Sequence, residues 1–133
     1  MSAQVPVVKV VFFDPAGAEI RLSLRFETLL LCDYAVDVRM AGSNSSVSGF
    51  PRTGDNANPD DDRYELPGPT HENDGRRVFC TVSVADQTGE RGKYKIDLDV
   101  MQDNIVLDTV STGERDLHGE FDRVLLVAML TKK

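Results

Sequence analysis

The stretch 18-AEIRLSLRF-26 decides the fold class. Ile20, Leu22, Leu24 and Phe26 fall on one side of an extended chain, and Glu19, Arg21, Ser23 and Arg25 on the other. A period of two marks a half-buried β-strand, because successive strand side chains point to opposite faces.

Outward from this stretch the pattern repeats. Upstream, 5-VPVVKVVFF-13 is rich in β-branched and aromatic residues and reads as a strand. Asp14-Pro15-Ala16-Gly17 then has the composition of a type I turn: proline presets φ at the second position and the Asp14 carboxylate can bond the backbone. Downstream, 32-CDYAVDVRM-40 sets Cys32, Tyr34, Val36, Val38 and Met40 against Asp33, Asp37 and Arg39. The stretch 77-RVFCTVSVAD-86 turns Val78, Cys80, Val82 and Val84 inward, and 93-KYKIDLDVM-101 does the same with Tyr94, Ile96, Leu98 and Val100. The intervening TGERG reads as a glycine-bounded hairpin loop, and Asp103-Asn104 as a tight turn before 105-IVLDTV-110. A last strand covers 121-FDRVLLVAML-130. About seven strands, with no amphipathic helix of useful length, predict an all-β chain. The expected fold is an antiparallel β-sandwich, jelly-roll or immunoglobulin-like, forming a single domain over 1–133.

The chain has 133 residues and a net charge of −7, with 41% hydrophobic and 28% charged residues. That length and balance suit one domain with its own core. The acidity argues against nucleic acid and against anionic membrane surfaces as partners. The N-terminal apolar run lacks a basic lead and contains a lysine, and 124-VLLVAML-130 is too short to span a bilayer. The expectation is a cytoplasmic protein with no membrane span. Its two cysteines, Cys32 and Cys80, are expected as reduced core thiols.

One segment breaks the strand pattern. Residues 42–75 hold four of the six prolines and five of the ten glycines, and seven acids against Arg52 and Arg63. This predicts a long polar loop inserted into the sandwich, with Phe50, Tyr64 and Leu66 able to pin it. Within it, 55-DNANPDDD-62 is dense in hard oxygen donors, which Ca²⁺ prefers, and Asp55, Asn58, Asp60 and Asp62 are the candidate metal ligands. The stretch lacks the spacing of an EF-hand. Arg63, Tyr64 and His71 are the candidate ligand contacts. His71 lies beside Glu72 and His118 near Glu120, but no nucleophile, metalloprotease or phosphate-loop signature accompanies them.

These readings order the functions. First comes a non-catalytic interaction or assembly module, acting through the acidic loop and an apolar oligomer interface, without a cofactor. Second is a calcium-assisted module for a carbohydrate or lipid headgroup; third is a small hydrolase or isomerase using loop carboxylates. A homo-oligomer, most simply a dimer, is expected because two strands are apolar on both faces. In the last strand Leu125, Val127 and Met129 oppose Val124, Leu126, Ala128 and Leu130. In the first, Val7, Val11 and Phe13 oppose Val8, Val10 and Phe12. A sandwich strand needs only one apolar side, so the second wants a cover.

Overall fold

A computed structural model of the chain describes residues 6–57, 62–86, 92–117 and 119–133. It is 62% strand and 3% helix, in two sheets that pack into a β-sandwich-like arrangement. Among the described residues, no helix is long and apolar enough to cross a membrane.

Ten strands form. They are β1 (Val7–Phe13), β2 (Arg21–Thr28), β3 (Leu31–Arg39), β4 (Arg52–Asp55), β5 (Asp62–Glu65), β6 (Arg77–Ala85), β7 (Lys93–Gln102), β8 (Ile105–Ser111), β9 (Arg115–Asp116) and β10 (Phe121–Lys132). The first sheet runs β1-β10-β6-β3-β4 and the second β5-β2-β7-β8, with β9 also on β7. β1 pairs parallel to β10, and the other pairings are antiparallel.

The seven expected strands are all present. The other three are β4, β5 and β9. β4 and β5 arise inside the insertion and lengthen one sheet each, so its described parts are built into the sandwich rather than looped away from it. Val47 and Leu66 are buried, and Phe50 and Tyr64 pack against the core. The end of the insertion is stitched to β10. Gly75 N–H bonds Leu130 O at 2.8 Å, Leu130 N–H bonds Arg76 O at 2.9 Å, and Lys132 N–H bonds the Asp74 carboxylate at 3.0 Å. Arg76 is buried there, donating to Asn73 Oδ1 and Pro67 O at 2.9 and 3.1 Å. β9 follows β8 along β7 after a break at Gly113, whose φ of 66° suits glycine.

The turn chemistry held at two places and failed at one. Gly17 N–H bonds Asp14 O at 3.1 Å while the Asp14 carboxylate takes Ala16 N–H at 2.9 Å, the turn expected there. Asp103 and Asn104, with φ of 55° and 61°, make the two-residue connection between β7 and β8. Both central residues at positive φ give the hairpin twist that Asp and Asn tolerate best. The TGERG hairpin is corrected: β6 pairs with β3 and β10, and β7 with β2, β8 and β9, so this connection crosses between sheets. Residues 87–91 themselves lie outside the described residues.

The two sheets share one core. Tyr94, Phe13, Ile20, Leu22, Leu24, Leu66, Ile96, Leu98, Leu126 and Leu130 are its largest fully buried members. The inward faces of β1 and β10 carry Val11 and Phe13, and Val124, Leu126, Ala128 and Leu130. That fixes which face is which: Val8, Val10 and Phe12, with Leu125, Val127 and Met129, point away from the core.

Candidate functional site

The outward faces of the two strands meet. Register places Val8 beside Val127 and Val10 beside Met129, and β10 in turn places Val127 beside Phe79 of β6. The result is a continuous apolar surface across three strands. Val8, Val10 and Phe12 are 53, 48 and 54% exposed and Met129 40%, whereas Val127 in their midst is 6% exposed. Arg39 and Arg77 bound this surface, their guanidinium carbons 4.3 and 5.8 Å from the centre of the Phe79 ring. Scattered exposed apolar residues are ordinary, whereas these lie contiguously on one sheet face.

The outer face of the second sheet has opposite chemistry. Register aligns Arg25 with Asp97, and Ser23 with Asp99 and Arg63. Arg25 holds Asp99 through two bonds of 2.7 and 3.1 Å and reaches Asp97 at 3.2 Å. Thr109 donates to Asp99 at 2.6 Å, and Lys95 lies 3.8 Å from Asp97. Burial pushes the Asp99 carboxyl up, but the Arg25 and Thr109 hydrogen bonds and the Arg25 charge outweigh it and hold it below its ordinary value. Asp97 is 3% exposed, and its Oδ1 has no hydrogen-bond partner among the described residues. Beside this lattice a groove of about 440 Å³ is lined by Glu19, Arg21, Ser23, Arg63, Met101 and Asn104.

The expected ligand contacts do not converge. Arg63 and Tyr64 are neighbours on β5 and so face opposite ways: Arg63 pairs with Ser23 on the outer face, and Tyr64 with Leu22 on the core face. Tyr64 hydrogen-bonds its hydroxyl to that of Tyr34 and stands edge-on to Phe50, with Arg52 5.2 Å from its ring centre. It therefore ties β5 to β3 across the sandwich. Burial and that bond raise the Tyr34 phenol far above its ordinary value. His71 is exposed on the 3-10 turn Thr70–Asn73, which packs beside β10.

Of the four expected metal ligands, Asp55 and Asp62 are described. Asp55 ends β4 on the first sheet, and its Oδ1 accepts Ala57 N–H at 2.9 Å. Asp62 begins β5 on the second sheet, within reach of Tyr34. Asn58 and Asp60 lie outside the described residues. Asn56, in the same run, is committed to the backbone of β3: it accepts Cys32 N–H at 2.8 Å and donates to Leu30 O at 2.9 Å. Among the described residues, no group of three His, Cys, Asp or Glu side chains is placed to hold a metal.

Cys32 and Cys80 are both buried and unpaired, and burial pushes each thiol up to about 12. Thiolate is the reactive form, so neither is poised as a nucleophile near neutral pH.

The sequence shows both faces of the first and last strands as apolar without telling which is the outer one, and it does not point to Phe79 or the Arg25–Asp97–Asp99 lattice. Phe79 lies on the polar-facing phase of its own strand, which was the available signal. No family model, curated protein or solved structure gives a significant match to this chain.

Proposed function

We propose that this chain is a non-catalytic interaction and assembly module whose contact surface is the outer face of β1 and β10, with the acidic insertion as a secondary, solvent-facing feature. The observation that carries the reading is the contiguous exposure of Val8, Val10, Phe12 and Met129. The finer fold expectation, an immunoglobulin-like or jelly-roll sandwich, belongs to the same proposal and rests on two sheets sharing one core.

Magnitudes support a self-associating module of modest affinity. Fully burying a Val, Phe or Met side chain is worth about 1.5–3 kcal/mol, so covering the exposed half of each of these four gains roughly 1 kcal/mol apiece. Two copies gain about 8 kcal/mol together, against roughly 4–15 kcal/mol for lost rigid-body freedom. Apolar cover alone therefore leaves association marginal, and other contacts must add to it. Charge does not oppose it here. In a chain of net −7, the outer face of β1 and β10 carries no carboxylate; the one acid of these two strands, Asp122, is buried on the inner face, where it accepts the Tyr94 hydroxyl.

The test is sedimentation of the wild-type chain over a concentration series, beside Met129→Asp. The module reading expects the wild type to self-associate and Met129→Asp to remain folded with weaker association. A wild type that is monomeric throughout removes the reading. The calcium-assisted alternative, with Asp55, Asn58, Asp60 and Asp62 as its ligands, is tested by a calcium titration of the thermal midpoint, since a ligand that prefers the native state must raise it.

A further inference from the structure

We infer that two copies join through β1 itself, antiparallel about a two-fold axis at Val10, so that the first sheets of both copies fuse into one continuous sheet. This rests on the assembly reading above and specifies its geometry.

The backbone carries the argument. Among the described residues β1 pairs only with β10, so its other edge is open. Phe13 O accepts Lys133 N–H at 3.0 Å, so the backbone groups of Phe13 face β10. Alternate residues of a strand face the same side, which places those of Val11, Lys9 and Val7 there too. The N–H and C=O groups of Val8, Val10 and Phe12 therefore point to the open edge. These are the same three residues whose side chains form the exposed apolar surface.

That edge is self-complementary. β1 runs from Val7 to Phe13, so Val10 is its midpoint. An antiparallel partner centred there sets Val10 opposite Val10, Val8 opposite Phe12 and Phe12 opposite Val8. Each is a pair that exchanges two hydrogen bonds, and every open N–H and C=O of the three residues is used. The apolar side chains then align across the axis as a valine pair flanked by two Phe–Val pairs, a favourable cross-strand set. Other two-fold centres do worse. Centring on Lys9 sets two lysines opposite each other and leaves Phe12 unpaired; centring on Val11 leaves Val8 unpaired. Pro6 and the turn at Asp14 bound the strand on either side and limit slippage.

Charge and area point to a second copy as the occupant. The one charge on β1, Lys9, is matched within the chain by Asp108 at 3.2 Å. Two chains of net −7 repel over most approaches, and β1 itself carries no acid. Stable interfaces bury about 800 Å² per partner, more than four half-exposed side chains supply, so backbone pairing is the contribution that a side-chain contact alone would lack. An open, apolar edge of this length left uncovered would be an aggregation site.

Three variants of the full chain test the geometry. In Val10→Cys, the paired Cα atoms would be about 5.5 Å apart, within disulfide range, so mild oxidation should give a covalent dimer. Val8→Cys and Phe12→Cys should cross-link with each other when mixed, but neither with itself, because four residues of offset put like cysteines about 13 Å apart. Cys32 and Cys80 are buried and should not compete. Val10→Pro removes an N–H that faces outward, so circular dichroism should show an intact fold while dimer affinity falls by about tenfold or more. A wild type that dimerises, a Val10→Cys that does not cross-link and a folded Val10→Pro that still dimerises would overturn the edge pairing while leaving the assembly reading intact. An open-ended series of larger species would also overturn it, since a two-fold contact closes on itself. A strictly monomeric wild type would overturn both.

Discussion

Val127 on the outside of the first sheet and Asp99 on the outside of the second hold equivalent places. Each sits on a strand flanked on both sides, and they are 6% and 5% exposed. They differ in what covers them. Val127 is covered by Val8, Met129 and Phe79, and Val8 and Met129 are themselves left half in water. Asp99 is covered by Arg25 and Thr109, and the Arg25 side chain is 44% exposed with its charge hydrated. The first arrangement moves an apolar cost to the rim; the second ends in a group that water suits. Only the first face gains by being covered again, which separates an association surface from a self-sufficient one.

The largest effect expected is on the inner side of that first sheet. Leu126→Asp places an unpaired carboxylate in the core, where Leu126 is fully buried, and should cost more than about 4 kcal/mol and prevent folding. Met129→Asp, three residues away on the outer side, should stay within about 1 kcal/mol of wild type and act on association instead. Val127 is a poorer outer probe because its neighbours already bury it. If Leu126→Asp folds, or Met129→Asp does not, the assignment of faces is reversed.

On the second sheet the informative removal is Arg25→Ala. It leaves Asp97 and Asp99 buried side by side without their shared cation, and about 2 kcal/mol of stability should be lost. Chemical denaturation measures this, and Asp97→Asn in the same background should restore part of it. A neutral Arg25→Ala would mean that Lys95, 3.8 Å from Asp97, suffices. Salt separates the faces again. At about 1 M salt, electrostatic contributions are screened over a few ångströms, so the Arg25 effect should shrink while self-association persists.

How much of this was legible follows from particular residues. The strands at 20–26, 32–40, 78–84 and 94–100 could be read because one phase of each is apolar and the other polar. β10 and β1 could be read as strands but not oriented, since both phases of Leu125–Leu130 and Val7–Phe13 are apolar and only packing chooses between them. β4 and β5, RTGD and DRYE, are too short and polar to carry a period. β4 depends instead on a close approach: a Cβ on Gly54 would sit 2.6 Å from Tyr34 Cζ. The TGERG expectation failed because a glycine-bounded loop has the same local chemistry whether its strands pair or part to different sheets. The Arg25–Asp97–Asp99 lattice was visible only as a polar phase, because cross-strand partners depend on register between distant segments.

The smallest effect, and the sharpest on the second face, is with pH. The folded Asp99 carboxyl is held below its ordinary value of 3.8, so the folded state binds this proton less readily than the unfolded chain does. A group depressed in this way contributes fully above its unfolded value and loses that contribution as pH falls through its folded value. Wild-type stability should therefore drop as the pH is lowered below about 4, with Asp99→Asn, which has no proton to bind there, dropping less. Thermal midpoints of the two proteins should differ most near neutrality and converge in acid. Arg25 keeps its charge throughout that range, so any convergence belongs to the carboxylate. A gap that stays constant through the acid range would show that Asp99 acts as a hydrogen-bond acceptor with no charge contribution. The salt sensitivity of the second face would then have to come from Asp97 and Lys95. The proposed self-association of the first face provides the control. Val8, Val10, Phe12 and Met129 have no ionising group, so association should hold in acid for as long as the fold does.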